Sequence, residues 1–297
     1  MECVVALDVG GTSMKAALVD DAYRVIASRR IATRREDGPD AVVERILDAS
    51  ADQQAAAVRQ GFLVRAAGVV VPGIVDDGVA VFSANLGWRD VPLRELVHKR
   101  LGVPVAFEHD VRAGGLAEGQ LGAARGAGDY LFMPIGTGIA GAVVIDGRPY
   151  SGHGYGGEIG HLIIEPDGPI CGCGARGCLE AIASAAAIDR EYALRSGRTA
   201  NGLVSELVVA GDPDARAVWQ RAVRALARAL QAYVTLLAPE LVVIGGGLAG
   251  AGDVLMEPLA DALDALLTFQ RRPRLVRAEL GDQAGALGAA LLAWRLA

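Results

Sequence analysis

Two stretches of this 297-residue chain share one local text, and that repetition constrains the fold more than any other feature. Val4–Leu7 is an apolar run, Asp8-Val9-Gly10-Gly11-Thr12 is a turn, and Lys15–Val19 returns as a second strand. Tyr130–Pro134, Gly136-Thr137-Gly138 and Gly141–Ile145 repeat that order, and Asp20 and Asp146 close the two copies. Two halves that each open on such a hairpin imply two related α/β domains facing each other. At roughly 150 residues per domain the length allows for both. The boundary is expected in the glycine- and alanine-rich stretch Gly122–Gly128, giving an N-terminal domain over 1–122 and a C-terminal domain over 123–297.

Periodicity fills in the rest. Tyr23–Thr33 reads as a third strand. Pro39 to Gln60 places Val42, Ile46 and Leu47 on one face and Glu44, Arg45 and Asp48 off it, which is helical spacing. Val69–Val71 is a short buried strand ending at Pro72-Gly73. Leu93–Leu101 is a helix, Val103–Phe107 a strand, and Asp110 stands where a helix through Val111–Leu121 would be capped. The chain is mostly helical from Leu179 onward, apart from strands at Leu241–Ile244 and Leu275–Leu280.

Composition excludes several classes. Hydrophobic residues at 52% rule out a disordered chain. The 39 glycines follow no G-X-Y period, so they are expected in loops that approach ligands. Lys+Arg 29 against Asp+Glu 35 gives a net charge of −6 with no basic run, which disfavours nucleic acid as a partner. The N-terminus has no signal-peptide pattern. The longest uncharged stretch, Tyr130–Ile145, contains Pro134 and falls short of the ~20 apolar residues of a membrane span. A cytoplasmic protein with no membrane partner is expected, and its cysteines then point to metal rather than to disulfides.

Four motifs carry chemistry. In Asp8-Val9-Gly10-Gly11-Thr12 the glycines let backbone amides approach phosphate oxygens, the threonine adds a donor, and the aspartate can hold Mg²⁺ or its waters. The alternative is a hairpin turn that needs positive φ. Gly136-Thr137-Gly138 is a second loop of the same kind. Gly245-Gly246-Gly247-Leu248-Ala249-Gly250 matches G-x-G-x-x-G after a strand, but no acidic residue ends the next strand at the required distance. A nucleotide-contacting glycine turn is therefore favoured over NAD binding. Cys171, Cys173 and Cys178 lie in one glycine-rich knuckle, with His161 as the preferred fourth ligand and His153 in reserve. A Cys₃His set fills all four positions of a structural Zn²⁺. Zinc would draw Glu158, His161 and Glu180 together, a group suited to vicinal hydroxyls; Glu180 also reads as a plain first-turn acid. Asp110 reads as an N-cap or as a general base.

Together these segments resemble the ROK family of bacterial sugar kinases and sugar-responsive regulators. The matching text is Leu7–Thr12, Val71-Pro72-Gly73-Ile74-Val75-Asp76, Ile135–Ile139, Gly157-Glu158-Ile159-Gly160-His161, the knuckle with Cys178-Leu179-Glu180, and Gly245-Gly246-Gly247. The resemblance implies an α/β fold of the actin/hexokinase-like (ribonuclease H-like) type, with a cleft between two domains that close over ATP and sugar. It implies Asp110 as catalytic base and Asn85, His109, Glu158, His161 and Glu180 as sugar contacts. It assigns nucleotide to Asp8, Gly10, Gly11, Thr12 and Lys15, to Gly136, Thr137 and Gly138, and to Gly245, Gly246 and Gly247. ATP, Mg²⁺ and structural Zn²⁺ are the implied cofactors, and a homo-oligomer, dimer or tetramer, is the implied assembly. The activity implied is phosphorylation of the 6-hydroxyl of an aldohexose, with a non-catalytic sugar-binding regulator as the alternative. Regulators of the family add a helix-turn-helix ahead of the first hairpin, which here starts almost at Met1, so that domain is not expected. One departure matters: kinases of the family usually carry Asn-Asp where this chain has His109-Asp110, which makes an N-acetylated hexose a candidate beside glucose.

Overall fold

The computed structural model describes residues 1–297. β1 (Glu2–Val9), β2 (Ser13–Val19) and β3 (Val25–Ala32) form an antiparallel meander. α1 (Pro39–Arg59) then carries the chain back so that β4 (Leu63–Val71) lies parallel to β1. Burial on both faces explains why Cys3–Leu7 of β1 is an unbroken apolar run. Cys3, Val5, Leu7 and Val9 share a core with Val42, Ile46 and Leu47 of α1, and the other face is also buried. β5 (Ile74–Asp76), β6 (Val79–Ser83) and β7 (Trp88–Val91) make a small antiparallel sheet. After α2 (Leu93–Leu101), β8 (Val105–His109) pairs parallel with β4 and runs straight into α3 (Asp110–Leu121). β8 starts two residues later than expected because Pro104 has no amide to give the ladder.

The second sheet repeats the first. β9 (Tyr130–Pro134), β10 (Ala142–Ile145) and β11 (Arg148–Pro149) are antiparallel neighbours. Four helices follow: α4 (Leu179–Ala183), α5 (Ala185–Ser196), α6 (Val204–Val209) and α7 (Pro213–Leu237). β12 (Leu241–Gly245), α8 (Asp253–Asp264), β13 (Arg274–Arg277) and α9 (Ala284–Trp294) complete the chain. The orders β3-β2-β1-β4-β8 and β11-β10-β9-β12-β13 are the same, antiparallel on one side of the first strand and parallel on the other. The recurring hairpin text therefore marks a duplicated sheet. α7 begins where Pro213 takes the first helical position and Asp212 accepts the amides of Asp214 and Ala215 at 3.0 and 2.9 Å. Its Leu226, Leu230 and Tyr233 share a core with Leu131, Met133, Val242 and Ile244.

The chain divides into two compact units, one of Met1–Ala117, Ser151–Gly156 and Asp282–Ala297, the other of Glu118–Tyr150 and Gly157–Gly281. This differs from the single boundary expected between residues 122 and 123, because α9 packs on the first sheet. A Cβ on Gly68 of β4 would lie 2.0 Å from the Ala289 carbonyl oxygen, so the α9 backbone rests directly on the strand. β13 stops at Arg277, short of the expected Leu280, because the Glu279 and Leu280 amides donate to the buried Glu118 carboxylate at 3.2 and 2.9 Å. No helix is long and apolar enough to cross a membrane.

Candidate active site

In the first unit the turn after β1 is tied from β3. The Thr33 amide donates to Thr12 O at 2.9 Å, and the Thr33 hydroxyl donates to Gly10 O at 2.6 Å. Neither Gly10 nor Gly11 has a positive φ, so the turn does not need glycine on that ground, although a Cβ on Gly10 would lie a tight 3.0 Å from Ser13 O. A Cβ on Gly11 would touch only Asn85, at an ordinary 3.7 Å. The fold does not demand a bare backbone there, whereas a phosphate would. Thr12 and Asn85 are exposed beside it.

Asp8 stands one residue before the end of β1, in register with Lys15. A Cβ on Gly285 would lie 2.5 Å from Asp8 Oδ2, so the first turn of α9 abuts this carboxylate. Burial, and then repulsion from Asp110, push the Asp8 carboxyl up to about 6, against the opposing charge of Lys15. The Lys15 ammonium is held by Asp282, through its backbone carbonyl and its carboxylate at 3.1 Å.

Asp110 is the first residue of α3 rather than a cap ahead of it, and its Oδ1 accepts the Val111 amide at 2.8 Å. Burial raises its carboxyl to about 6 as well, with the Val111 bond and the Arg112 charge opposing. The side chain stays 27% exposed, enough for a hydroxyl to reach it. His109 Nδ1 lies 3.4 Å from Asp110 Oδ1 and accepts the Val111 amide at 3.2 Å, which puts the proton of the neutral ring on Nε2.

In the second unit three glycine-rich segments meet. Gly246 has φ +73, and a Cβ there would come within 2.4 Å of Ile135 O, so only glycine fits. The Leu248 amide donates to the same oxygen at 3.0 Å, which sets the Gly245–Gly247 turn against the Gly136–Gly138 loop. Thr137 is exposed at the tip of that loop. Glu180, in the first turn of α4, accepts the Ile139 amide at 2.9 Å, while the Ala185 amide donates to Gly136 O at 2.9 Å. Glu180 thus does more than complement its own helix. Beside Gly247 lies a cavity of about 220 Å³ lined by Ile188, Asp189, Val204, Ser205, Trp219 and Leu248 among others. These residues come from separated helices, and no local pattern in the sequence marks them.

The knuckle fits a four-coordinate metal. His161, Cys171, Cys173 and Cys178 place their donor atoms within 4.8 Å of one another, and His153 is not among them. Cys171 Sγ lies 3.7 Å from His161 Nδ1, and Cys173 Sγ lies 3.7 Å from Cys178 Sγ. Tetrahedral zinc, with Zn–S about 2.3 Å and Zn–N about 2.0–2.1 Å, requires donor separations of roughly 3.5–3.8 Å. Burial pushes the Cys178 thiol up to about 12 and also raises Cys171, while hydrogen bonding from the Ala175 amide lowers Cys173. His161 turns Nδ1 toward Cys171 Sγ, and its Nε2 lies 3.9 Å from Glu158 Oε2.

The chain is similar over its whole length to known proteins. The chain is 36% identical over 310 residues to a glucokinase of Thermotoga maritima, covering 97% of this chain and 96% of that protein. A ROK hexokinase from Thermus thermophilus matches with a TM-score of 0.87 and 38% identity, over 99% of this chain and 98% of that one. A ROK glucokinase of Streptomyces griseus, crystallised with glucose and AMPPNP, matches with a TM-score of 0.84 and 29% identity over 99% of each chain. The fold is the actin/hexokinase-like two-domain fold. The ROK family model spans residues 4–295, and the chain belongs to the ROK family.

Proposed function

We propose that this chain is an ATP-dependent hexose kinase that transfers the γ-phosphoryl group to the 6-hydroxyl of an aldohexose. The observation that carries this reading is Asp110: a carboxylate with its pKa raised to about 6, reachable by substrate, at a helix start in a family that includes glucokinases. Asp110 accepts the proton of the 6-hydroxyl as that oxygen attacks the γ-phosphorus and the bond to the ADP oxygen breaks. Positioning and charge neutralisation do most of the work in such a transfer.

In the first unit, Gly10, Gly11 and Thr12 offer amides and a hydroxyl to phosphate, with Lys15 beside them. Asp8, repelled by Asp110, is the group that would hold Mg²⁺ or its waters, and that ion would neutralise phosphate charge. Asn85 and His109 contact the sugar. In the second unit, Gly136, Thr137 and Gly138 take phosphate, and the turn Gly245, Gly246 and Gly247 contacts nucleotide, its Gly247 bordering the 220 Å³ cavity, which suits a nucleoside base. Glu158, His161 and Glu180 meet the sugar hydroxyls. Zn²⁺ on His161, Cys171, Cys173 and Cys178 would fix the His161 ring so that Nε2 faces substrate and Glu158. The reading includes a cytoplasmic, homo-oligomeric protein, a dimer or tetramer that light scattering would size.

The test is ATP turnover across a panel of glucose, N-acetylglucosamine and N-acetylmannosamine. Turnover of at least one establishes the kinase, and hexose binding without turnover would favour the non-catalytic sugar-binding reading. His109 decides among hexoses. Its ring is bulkier than the amide the family usually carries, and Nε2 is a donor. His109→Asn is expected to shift the kcat/KM ratio toward glucose by about 10–200-fold if the effect is steric, and by more if a polar group is read. An unchanged ratio would mean that His109 does not face the sugar.

A further inference from the structure

Arg112 is the most deeply buried charged group in the first unit, and the proposed chemistry leaves it without a role. Its side chain is 2% exposed. A guanidinium cannot shed its proton, so burial requires that its surroundings supply acceptors. They do. Nε and Nη2 both donate to Glu108 Oε1 at 2.8 Å, Nη2 also reaches Val75 O at 3.3 Å, and Nη1 reaches Gly154 O at 3.3 Å. Glu108 is engaged further, its Oε1 accepting the His109 amide at 2.7 Å. One cation therefore joins the β8–α3 junction, strand β5 and the segment Ser151–Gly156.

A second observation shows how tightly that segment is held. Gly154 has φ +90, and a Cβ there would lie 2.7 Å from Val75 O and 3.1 Å from Ile74 Cγ2. The loop backbone lies directly on β5, at the carbonyl that Arg112 also binds. Asp110 is two residues before Arg112, and Glu158 is four residues after Gly154.

We propose that Arg112 is a positioning residue for the sugar: its guanidinium, neutralised by Glu108, fastens the Ser151–Gly156 loop to β5 and so fixes the segment that leads into Glu158. This rests on the assignment of Glu158 to the sugar. A misplacement of about 1 Å can cost about a hundredfold in a reaction that depends on orientation, so a loop held by two carbonyl contacts is a sensitive point.

The test uses the full chain and two variants. Arg112→Lys keeps the charge but loses the fork, and Gly154→Ala leaves the guanidinium in place but pushes the loop, with the Gly154 carbonyl that Arg112 binds, away from β5. Hydrogen exchange reads the amides of Gly154, Tyr155 and Gly156, which donate within the loop to Ser151 O and Gly152 O. Calorimetry reads hexose and ATP binding separately, with no need for turnover. In each variant that keeps wild-type exchange in β1 and β4, loop exchange is expected to rise about tenfold. Hexose Kd is expected to weaken by about tenfold or more while ATP Kd stays within about twofold. Unchanged loop exchange, a loosened loop with unchanged hexose Kd, or parallel weakening of hexose and ATP would each overturn the proposal. If Arg112→Lys does not fold, Gly154→Ala decides. A wild type that binds hexose but does not transfer phosphate sinks the kinase reading alone; one that binds no hexose sinks both.

Discussion

Asp110 and Asp8 show what single residues decide. Both carboxyls titrate higher in the folded chain than their ordinary value of 3.8, first because of burial. A raised carboxyl stabilises the fold while protonated, so this contribution is complete below about pH 4 and is lost as pH rises through about 6. The ionised pair at neutral pH is thus carried at a cost to the fold, as expected of groups placed for chemistry. Asp110→Asn should lower kcat by about 10²–10⁴ and leave ATP affinity nearly unchanged. At pH 7.5 it should leave Tm unchanged or raised, since it removes a charge the site disfavours. A drop in Tm with activity within a few-fold of wild type would make Asp110 a structural residue. The pH profile follows from the same values: kcat/KM should fall on the acid side with a midpoint near 6. A limb near pH 4, tracked in a buffer series at constant ionic strength, would mean that neither carboxyl is the titrating base.

Elements add what residues cannot. Cys171, Cys173 and Cys178 are legible as a candidate metal knuckle from spacing alone, because a short glycine-rich loop brings them together whatever the rest of the chain does. The structure adds the choice of His161 over His153 and what the knuckle holds in place. The Leu179 amide donates to Leu162 O at 2.8 Å, so the knuckle is stapled to the turn that carries Glu158 and His161. Glu180, two residues past Cys178, then grips the Gly136–Ile139 loop. Purified protein is expected to contain about one zinc per chain, measured by elemental analysis. Stripping it with a chelator should lower Tm and activity together. Zinc affinity should also weaken as pH falls, because the thiols must release protons to bind. Full activity and unchanged Tm in metal-free protein would remove zinc from the account.

At the scale of the whole molecule, the first sheet is finished by the last helix. Leu287 and Leu291 of α9 are buried, and two such side chains contribute about 3–6 kcal/mol, a large part of the roughly 5–15 kcal/mol that holds a domain folded. A fragment of residues 1–122 should therefore show no cooperative thermal transition by circular dichroism. Cooperative melting of that fragment alone would mean that α9 is dispensable to the first unit.

The sequence by itself determined the elements and the loops. Apolar runs between Gly/Thr turns named both hairpins, 3.6-residue spacing named α1, and the family motifs named the residues at the ends of those elements. These signals are local: each depends on neighbours within a few positions, where backbone geometry decides. Only the tertiary structure decided which segments belong together. That Gly285 abuts Asp8, that Arg112 gathers Val75 and Gly154, and that the chain returns to its first unit at Asp282 are contacts between residues far apart in sequence. They arise from packing two faces of a sheet, and no local periodicity encodes which distant helix covers which face.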